Sequence, residues 1–309
     1  MTSILITGGT GFLGKHLLPK LQSHGYDIWA PSSKELDLLD NEQAFHQIYS
    51  YKPDIILHMA AICGGILANK NSPADFLHKN VDMASVVFHA AKEIKCQRVY
   101  TLGSVCAYPK FCPTPFKEEN LWNGYPEETN APYGMAKRLQ LLLGQTYRQQ
   151  YGIGGAHLIP VNMYGEYDHF DLTNSHVIPA LIHKFDLGNM HKRPFVPCWG
   201  TGEATREFLY AGDAADAITK VITTDFDSPL PINLGTGKNI SIKELASLIG
   251  RLMNYQEEIR FTEEVSDGQP DRLLDVSRAK ELLGWTAQVS LKEGLKRTIE
   301  WYYQNKTSI

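Results

Sequence analysis

No run among the 309 residues is long and apolar enough to cross a bilayer, so a membrane partner is not expected. The opening MTSILITGG has neither a basic stretch ahead of an apolar core nor a small-residue cleavage site, and it does not read as a secretory leader. Basic residues are not in excess. Lys and Arg number 30 against 34 Asp and Glu, a net charge of −4, which leaves no positive footprint for nucleic acid. Cysteines are few and odd in number, five at irregular spacing (63, 96, 106, 112 and 198), which excludes a disulfide framework and fits a reduced, cytoplasmic protein. There is no internal repeat and no low-complexity segment, and no metal is expected. What is present is ordinary for a globular enzyme of one large or two unequal domains: 43 % apolar and 21 % charged residues.

The chain alternates in pattern. SILIT (3–7) is a short β-prone run that breaks at GGTGFLG and continues as KHLLPKLQSHG with apolar residues at helical spacing. YDIWA (26–30), DIILHMAA (54–61), RVYTLGS (98–104) and GGAHLIPVN (154–162) read as further strands. Asp40 and Gln43 suit the cap and first turn of a helix, and two long helices are predicted over 73–95, opened by proline, and 133–152, closed by glycine. Strands alternating with helices predict an α/β fold, a Rossmann-like doubly wound parallel sheet. After about residue 163 the rhythm turns irregular, with loops at YGEYDHFDLTN, CWGTGEAT and SDGQPD. The predicted division is a dinucleotide-binding domain over 1–163 and a smaller C-terminal α/β substrate lobe over 164–309, some segments of which return to the first domain. Both long helices are apolar on more than one face. One face must meet the sheet; the other is expected to meet the same pair in a second subunit, a homodimer closed by a four-helix seam.

TGGTGFLG sets Gly8, Gly11 and Gly14 between the first strand and the first helix. Glycines there permit a tight turn and let a pyrophosphate approach the backbone, where the helix N-terminus favours negative charge. A dinucleotide is therefore expected. An acid at the end of the second strand would grip the ribose 2′-hydroxyl of NAD, but the sequence has Ser32, Ser33 and Lys34 instead, hydroxyls and a cation suited to a 2′-phosphate. NADP(H) is the expected cofactor, with Asp37 and Leu38 placed to flank adenine.

Tyr133 and Lys137 lie four apart on one helix face. A phenol titrates at about 10 unaided. An ammonium one turn away is expected to lower that value and to hold the nicotinamide ribose. Their helix follows a strand ending in Ser104, so Tyr, Lys and Ser should converge at the C-terminal edge of the sheet, where such folds bind ligands.

GSVCAYPK, PEETNAPYGMAK, VNMYG, NSHVIPALI and WGTGEATREF then narrow the reading. The chain resembles the extended short-chain dehydrogenase/reductases and, within them, the GDP-L-fucose synthase family, the 3,5-epimerase/4-reductases of GDP-4-keto-6-deoxymannose. The likeness runs from the first glycine turn through SDGQPDRLLD. The glycines and the Y-x-x-x-K mark only the superfamily; the Ser-x-Cys, the NSHVIP and the WGTG…REF are far more specific.

The resemblance implies an NADPH-dependent enzyme that makes GDP-L-fucose from GDP-4-keto-6-deoxy-D-mannose, with Cys106 and His176 as the epimerisation acid–base pair. The chemistry is consistent with those residue types. A ketone at C4 acidifies the protons at C3 and C5, and inversion needs a base on one face and an acid on the other. A thiol near about 8.5 and an imidazole near about 6.5 serve at neutral pH. Ser104 and Tyr133 would hydrogen-bond the C4 oxygen, and Tyr133 would protonate it on reduction. Cofactor contacts are expected from Thr10, Phe12 and Leu13 in the first turn, from Ala60, Ala61, Leu102 and Gly103, and from Pro160, Asn162, Met163 and His176. For the GDP-sugar the resemblance implies Asn162, Val177, Lys184, Trp199, Arg206 and Asp267. Cys63, Cys96, Cys112 and Cys198 are expected as small buried hydrophobes.

Departures from the family pattern bear on the sugar more than on the chemistry. Phe12 stands where bacterial relatives often carry an arginine for the 2′-phosphate, YGEYDHF replaces YGPHDNF, and Asp271 replaces a basic residue. Two alternatives therefore stay open: a relative that forms GDP-L-colitose, and a nucleotide-sugar reductase without epimerase activity.

Overall fold

In the computed structural model, which describes residues 1–171, 175–262 and 268–307, the first half of the chain alternates strand and helix. The elements are β1 (Ser3–Thr7), α1 (Phe12–Ser23), β2 (Asp27–Trp29), α2 (Asn41–Tyr51), β3 (Ile55–His58), α3 (Ile66–Asn71), α4 (Pro73–Glu93), β4 (Arg98–Leu102), α5 (Ala131–Tyr151) and β5 (His157–Pro160). The second half runs β6 (Asn162–Tyr164), α6 (Val177–Met190), β7 (Phe195–Trp199), β8 (Thr205–Tyr210), α7 (Ala211–Thr223), β9 (Ile232–Leu234), β10 (Asn239–Ser241), α8 (Ile242–Leu252), β11 (Glu258–Thr262), α9 (Ser277–Leu283) and α10 (Leu291–Asn305).

Six strands form one parallel sheet in the order β2-β1-β3-β4-β5-β9. It is a Rossmann-like sheet covered on both faces, which is why β3 and β5 are buried at every residue. Alternation along each strand divides the two cores. Ile4, Ile6, Ile55 and Leu57 face α1 and α7, whereas Leu5 and Ile56 face α2 and α4. The side chain of Asp40 caps α2 by accepting from the Gln43 amide at 3.1 Å. The order reverses between β1 and β3, and that switch point sets the ligand crevice above their C-terminal ends.

The predicted strand over 154–162 is divided in the structure. β5 ends at Pro160, and β6 joins a second sheet of order β10-β8-β6. β7 and β11 form a parallel pair. A separate core of Phe185, Leu245, Ile249, Leu295, Ile299 and Tyr302 packs α6, α8 and α10 together. Leu295, Ile299 and Tyr302 of α10 are buried and Leu291 is half-buried, one apolar face at helical spacing packed on this core.

Glu207 on β8 joins these parts. It is 0 % exposed, and its carboxylate accepts from the backbone N–H groups of Thr236, Gly237 (2.7 Å) and Leu274 (2.8 Å). Thr236 and Gly237 follow β9 of the large sheet. Leu274 bridges Phe116, whose amide donates to Leu273 at 2.7 Å. One carboxylate thus satisfies three main-chain donors from two separate segments. Burial raises its pKa and those N–H bonds pull it back. Glu207→Ala should leave the buried Leu274 donor and two partly buried donors, Thr236 and Gly237, without their acceptor and lower stability by about 1–3 kcal/mol. Urea unfolding would read this as a clear drop in midpoint; an unchanged midpoint would show the tie to be dispensable.

Candidate active site

The glycine turn after β1 is closed by contacts that only glycine allows. Gly8 has φ +72°, and a Cβ there would stand 2.7 Å from the Ala60 backbone nitrogen. The ends of β1 and β3 therefore touch at backbone level; Ala60 and Ala61 are half-buried and Thr10 is exposed. Leu13 is buried beneath the turn, and a Cβ on Gly14 would overlap the Gly9 carbonyl. Gly11 caps α1 without a side-chain hydrogen bond, so the first N–H groups of the helix stay open toward the crevice. Open donors, close backbone approach and a helix N-terminus fit a pyrophosphate. Phe12 turns its ring edge to His16 at 5.8 Å between centroids.

At the end of β2 the polar turn is more self-contained than its composition indicates. The Ser32 hydroxyl donates to the Glu35 carboxylate at 2.8 Å, as does the Ser32 amide. Ser33 and Lys34 remain exposed. Asp37 is exposed and accepts from the Leu39 amide at 3.0 Å, whereas Leu38 is buried in the core with Leu36 and Ala44.

Above β4 the chain makes a tight turn. Leu102 and Gly103 are buried, and a Cβ on Gly103 would overlap His157. Ser104 Oγ accepts from the Cys106 amide at 3.2 Å, which fixes the serine as the cap of a short 3-10 turn over Val105–Ala107. The first turn of α5 lies directly on it. A Cβ on Gly134 would overlap the Cys106 carbonyl oxygen. Tyr133, the preceding residue, is half-buried with its ring edge-on to Phe76 of α4 (6.3 Å). Lys137 is 3 % exposed, lies 5.7 Å from the centre of the Tyr133 ring, and donates to Gln140 at 3.2 Å. The structure thus brings Ser104, Cys106, Tyr133 and Lys137 together.

The electrostatics correct one expectation. Lys137 does not draw the Tyr133 phenol down. Desolvation, followed by the Cys63 and Cys106 thiols, pushes it well above its ordinary value. Burial also lowers Lys137 itself to about 8. Between two thiols and beside an amine that sheds its proton easily, a phenolate has little to stabilise it. Tyr133 holds its proton and is suited to donate it. Below the pair, His58 and His157 are buried and accept or donate at Thr7 and Thr101, each at 2.7 Å. Burial, then the Lys137 charge, lowers both to about 3, so both are neutral.

His176 caps α6 across the crevice. Although it is exposed, desolvation by the surrounding walls and then His169 hold its pKa below the ordinary value. Among the described residues no hydrogen bond joins it to the other four. Its connection is through backbone: a Cβ on Gly65 would lie 3.5 Å from the Ser175 carbonyl. Val177 begins the same helix.

Further out, Lys184 stacks over the Trp199 ring at 4.7 Å and donates to the Pro197 carbonyl at 3.0 Å. Trp199 is 46 % exposed and offers its other surface. Arg206 is buried, not a solvated surface charge, and donates to the Thr205 carbonyl at 2.7 Å. Pro160 is buried, while Asn162 and Met163 are half-buried at the β5–β6 junction. Asp267 lies outside the described residues.

Sequence reasoning missed several participants. Cys63 is exposed rather than buried, on a loop held from both sides: Asn80 exchanges hydrogen bonds with Ile62 N (3.0 Å) and O (2.9 Å), and Asn69 donates to Gly64 O (3.0 Å) and Gly65 O (3.1 Å). Cys112 is likewise not buried; Cys96 and Cys198 are. Arg272 donates to Cys106 Sγ at 3.6 Å, and Arg138 donates to the Ala107 carbonyl at 2.6 Å. No local spacing marks any of these; only the fold brings them to the turn.

Comparison with known proteins places the chain in a family. The model of the NAD dependent epimerase/dehydratase family matches residues 4–235. The chain is 36 % identical to the GDP-L-fucose synthase of Escherichia coli (strain K12), over 98 % of this chain and 97 % of that one. It is also 36 % identical to the GDP-L-colitose synthase of Yersinia pseudotuberculosis, over 99 % of each. Among solved structures, a GDP-mannoheptose C4 reductase from Campylobacter jejuni with NADP bound superposes with a TM-score of 0.88 at 29 % identity, covering 98 % of both chains.

Gly134→Ala tests the contact on which the site is built. Helix propensity favours alanine by up to about 1 kcal/mol, but overpacking against a carbonyl costs about 1–3 kcal/mol. The clash should win. Urea unfolding should show a lowered midpoint, and a variant more stable than the parent would separate α5 from the Ser-x-Cys turn.

Proposed function

Because the chain belongs to the NAD dependent epimerase/dehydratase family, we propose that it is an NADPH-dependent 3,5-epimerase and 4-reductase that converts GDP-4-keto-6-deoxy-D-mannose to GDP-L-fucose. One observation carries the reading: the turn that presents Ser104 also presents Cys106, and the first turn of the helix that carries Tyr133 lies directly on it. A plain reductase needs the serine, tyrosine and lysine; the thiol is the additional group that inversion at carbon requires.

NADP(H) is the cofactor of this reading, held by Gly8, Gly11 and Gly14 at the open end of α1, with Ser33 and Lys34 toward the 2′-phosphate. When bound it supplies the hydride for C4. The chain's own residues do the rest. Ser104 and Tyr133 hydrogen-bond the C4 oxygen and stabilise the enolate that forms when a neighbouring C–H is broken. Cys106 and His176 exchange protons with C3 and C5 from opposite faces. Tyr133, which keeps its proton in this pocket, delivers it to the C4 oxygen at the end. Lys137 holds the tyrosine side and loses its charge as pH rises through about 8. Lys184, Trp199 and Arg206 receive the GDP end.

With GDP-4-keto-6-deoxy-D-mannose and NADPH in deuterated water, the protein should incorporate deuterium at C3 and C5 and yield GDP-L-fucose. Cys106→Ser or His176→Gln should reduce incorporation by about a hundredfold or more, while Tyr133→Phe should remove the reduction. Reduction at C4 with no label at C3 or C5 would make the protein a reductase alone. The colitose synthase, equally similar in sequence, supports a second reading in which the sugar is a 3,6-dideoxy-4-ketose. Faster turnover of that substrate would select it.

The reading includes a homodimer in the cytoplasm. Leu77 on α4 and Leu139 and Leu142 on α5, two helices packed on each other, are exposed apolar residues. They suit the four-helix seam, since apolar residues on two helices of one surface are best covered by a copy of themselves. Analytical ultracentrifugation should give a dimer, and Leu142→Asp should shift it toward monomer. A monomeric parent protein at micromolar concentration would remove the seam.

A further inference from the structure

Two guanidinium groups hold the Ser-x-Cys turn from behind, and neither is neutralised by a carboxylate among the described residues. Arg138 binds main-chain oxygens: Nε donates to Ala107 O at 2.6 Å and Nη1 to Gly124 O at 2.8 Å. Arg272 differs in that it reaches the sulfur. It is 7 % exposed, and Nη1 donates to Cys106 Sγ at 3.6 Å. Its orientation is enforced. Nε donates to Gln269 Oε1 at 3.0 Å, and the Gln269 amide donates in turn to Pro109 O (3.1 Å) and Lys110 O (2.9 Å), three and four residues beyond the cysteine. The Arg272 amide donates to Thr205 O at 3.2 Å, which fixes the backbone as well. The arginine, its orienting glutamine and the cysteine turn form one closed unit. The adjacent acid, Asp271, is directed elsewhere, accepting from Thr205 and from Asn239 (2.7 Å).

We propose that Arg272 is the positioning residue of Cys106: its guanidinium, aimed by Gln269, directs the sulfur toward the sugar and stabilises it whenever it carries negative charge. The inference rests on the reading of Cys106 as an epimerisation group. In that reaction the sulfur takes a proton from carbon, an S–H bond forms as the C–H bond breaks, and the electron pair passes to the C4 oxygen as the enolate. The return transfer regenerates the sulfur anion. A fixed cation at hydrogen-bond distance lowers the energy of the anionic half of that cycle, and a guanidinium does so while retaining its proton. No other cation contacts the sulfur among the described residues.

Alkylation by iodoacetamide at neutral pH, followed residue by residue by mass spectrometry, tests this without reference to turnover. Cys63 serves as the internal reference. Arg272→Met should slow modification of Cys106 by about tenfold and leave Cys63 unchanged, because the reagent attacks the anion. Arg272→Lys, which keeps the charge, should recover most of the rate. Gln269→Leu, which leaves the guanidinium but removes its guide, should change the rate in the same direction by less. Deuterium incorporation from solvent into the sugar should fall about tenfold in Arg272→Met, in parallel with alkylation. Equal or faster alkylation of Cys106 in Arg272→Met would overturn the proposal, since loss of a merely packing side chain loosens the turn and admits reagent. Slower alkylation in Arg272→Met, together with parental deuterium incorporation in Cys106→Ser, would retain the coupling and remove the acid–base reading of the cysteine.

Discussion

The approach of α5 to the turn above β4 is the constraint on which the site depends. The helix comes so near that position 134 has no room for a side chain, and the Cys106 carbonyl occupies that space. This contact sets the distance between the residues of the turn, Ser104 and Cys106, and those of the helix, Tyr133 and Lys137. Each pair is positioned within its own segment by local geometry; the missing Cβ, with the Arg138 bond to the Ala107 carbonyl, relates one pair to the other. The sheet below supplies rigidity, and Glu207 extends it to the lobe by tying β8 to the turn after β9 and to residue 274.

Charge in the pocket is arranged to be provisional. Lys137, Arg138 and Arg272 are all buried, and none has a carboxylate partner among the described residues. An enclosed cation without a counter-charge is costly, and the lysine shows that cost in its lowered pKa. Such a site is completed by what it binds. Anionic phosphates, an enolate oxygen or a thiolate would each supply the missing negative charge, and each is a species the proposed reaction brings or makes. The buried histidines below contribute nothing to the balance, because both stay neutral.

Much of this was legible in the sequence. The parallel sheet announced itself because its central strands are buried on both sides and so read as unbroken apolar runs. The adjacency of the Ser-x-Cys turn to the helix of Tyr133 and Lys137 was legible because motif and position agreed. What stayed hidden was short or distant. β9 is three residues long, and α3 is six residues capped by a glycine, too little pattern for any period. Arg272 is separated from Cys106 by 166 positions and has no spacing to mark it. The upward shift of Tyr133 arises from enclosure and then from the Cys63 and Cys106 thiols, none of it visible from a helix face carrying Tyr and Lys. The Ser32–Glu35 bond was local and within reach of pattern reasoning, but composition alone drew attention to the hydroxyls and away from the acid.

The two asparagines that hold residues 62–65 have a thermodynamic consequence. A loop of Ile, Cys and paired glycines would ordinarily sample many shapes and would have to surrender that freedom each time a guest arrived. Here Asn80 and Asn69 spend their amides on its main chain beforehand. The entropy is lost once, during folding, so occupancy of the cleft need not repeat it. One rim of this cleft therefore behaves as fixed masonry rather than as a door.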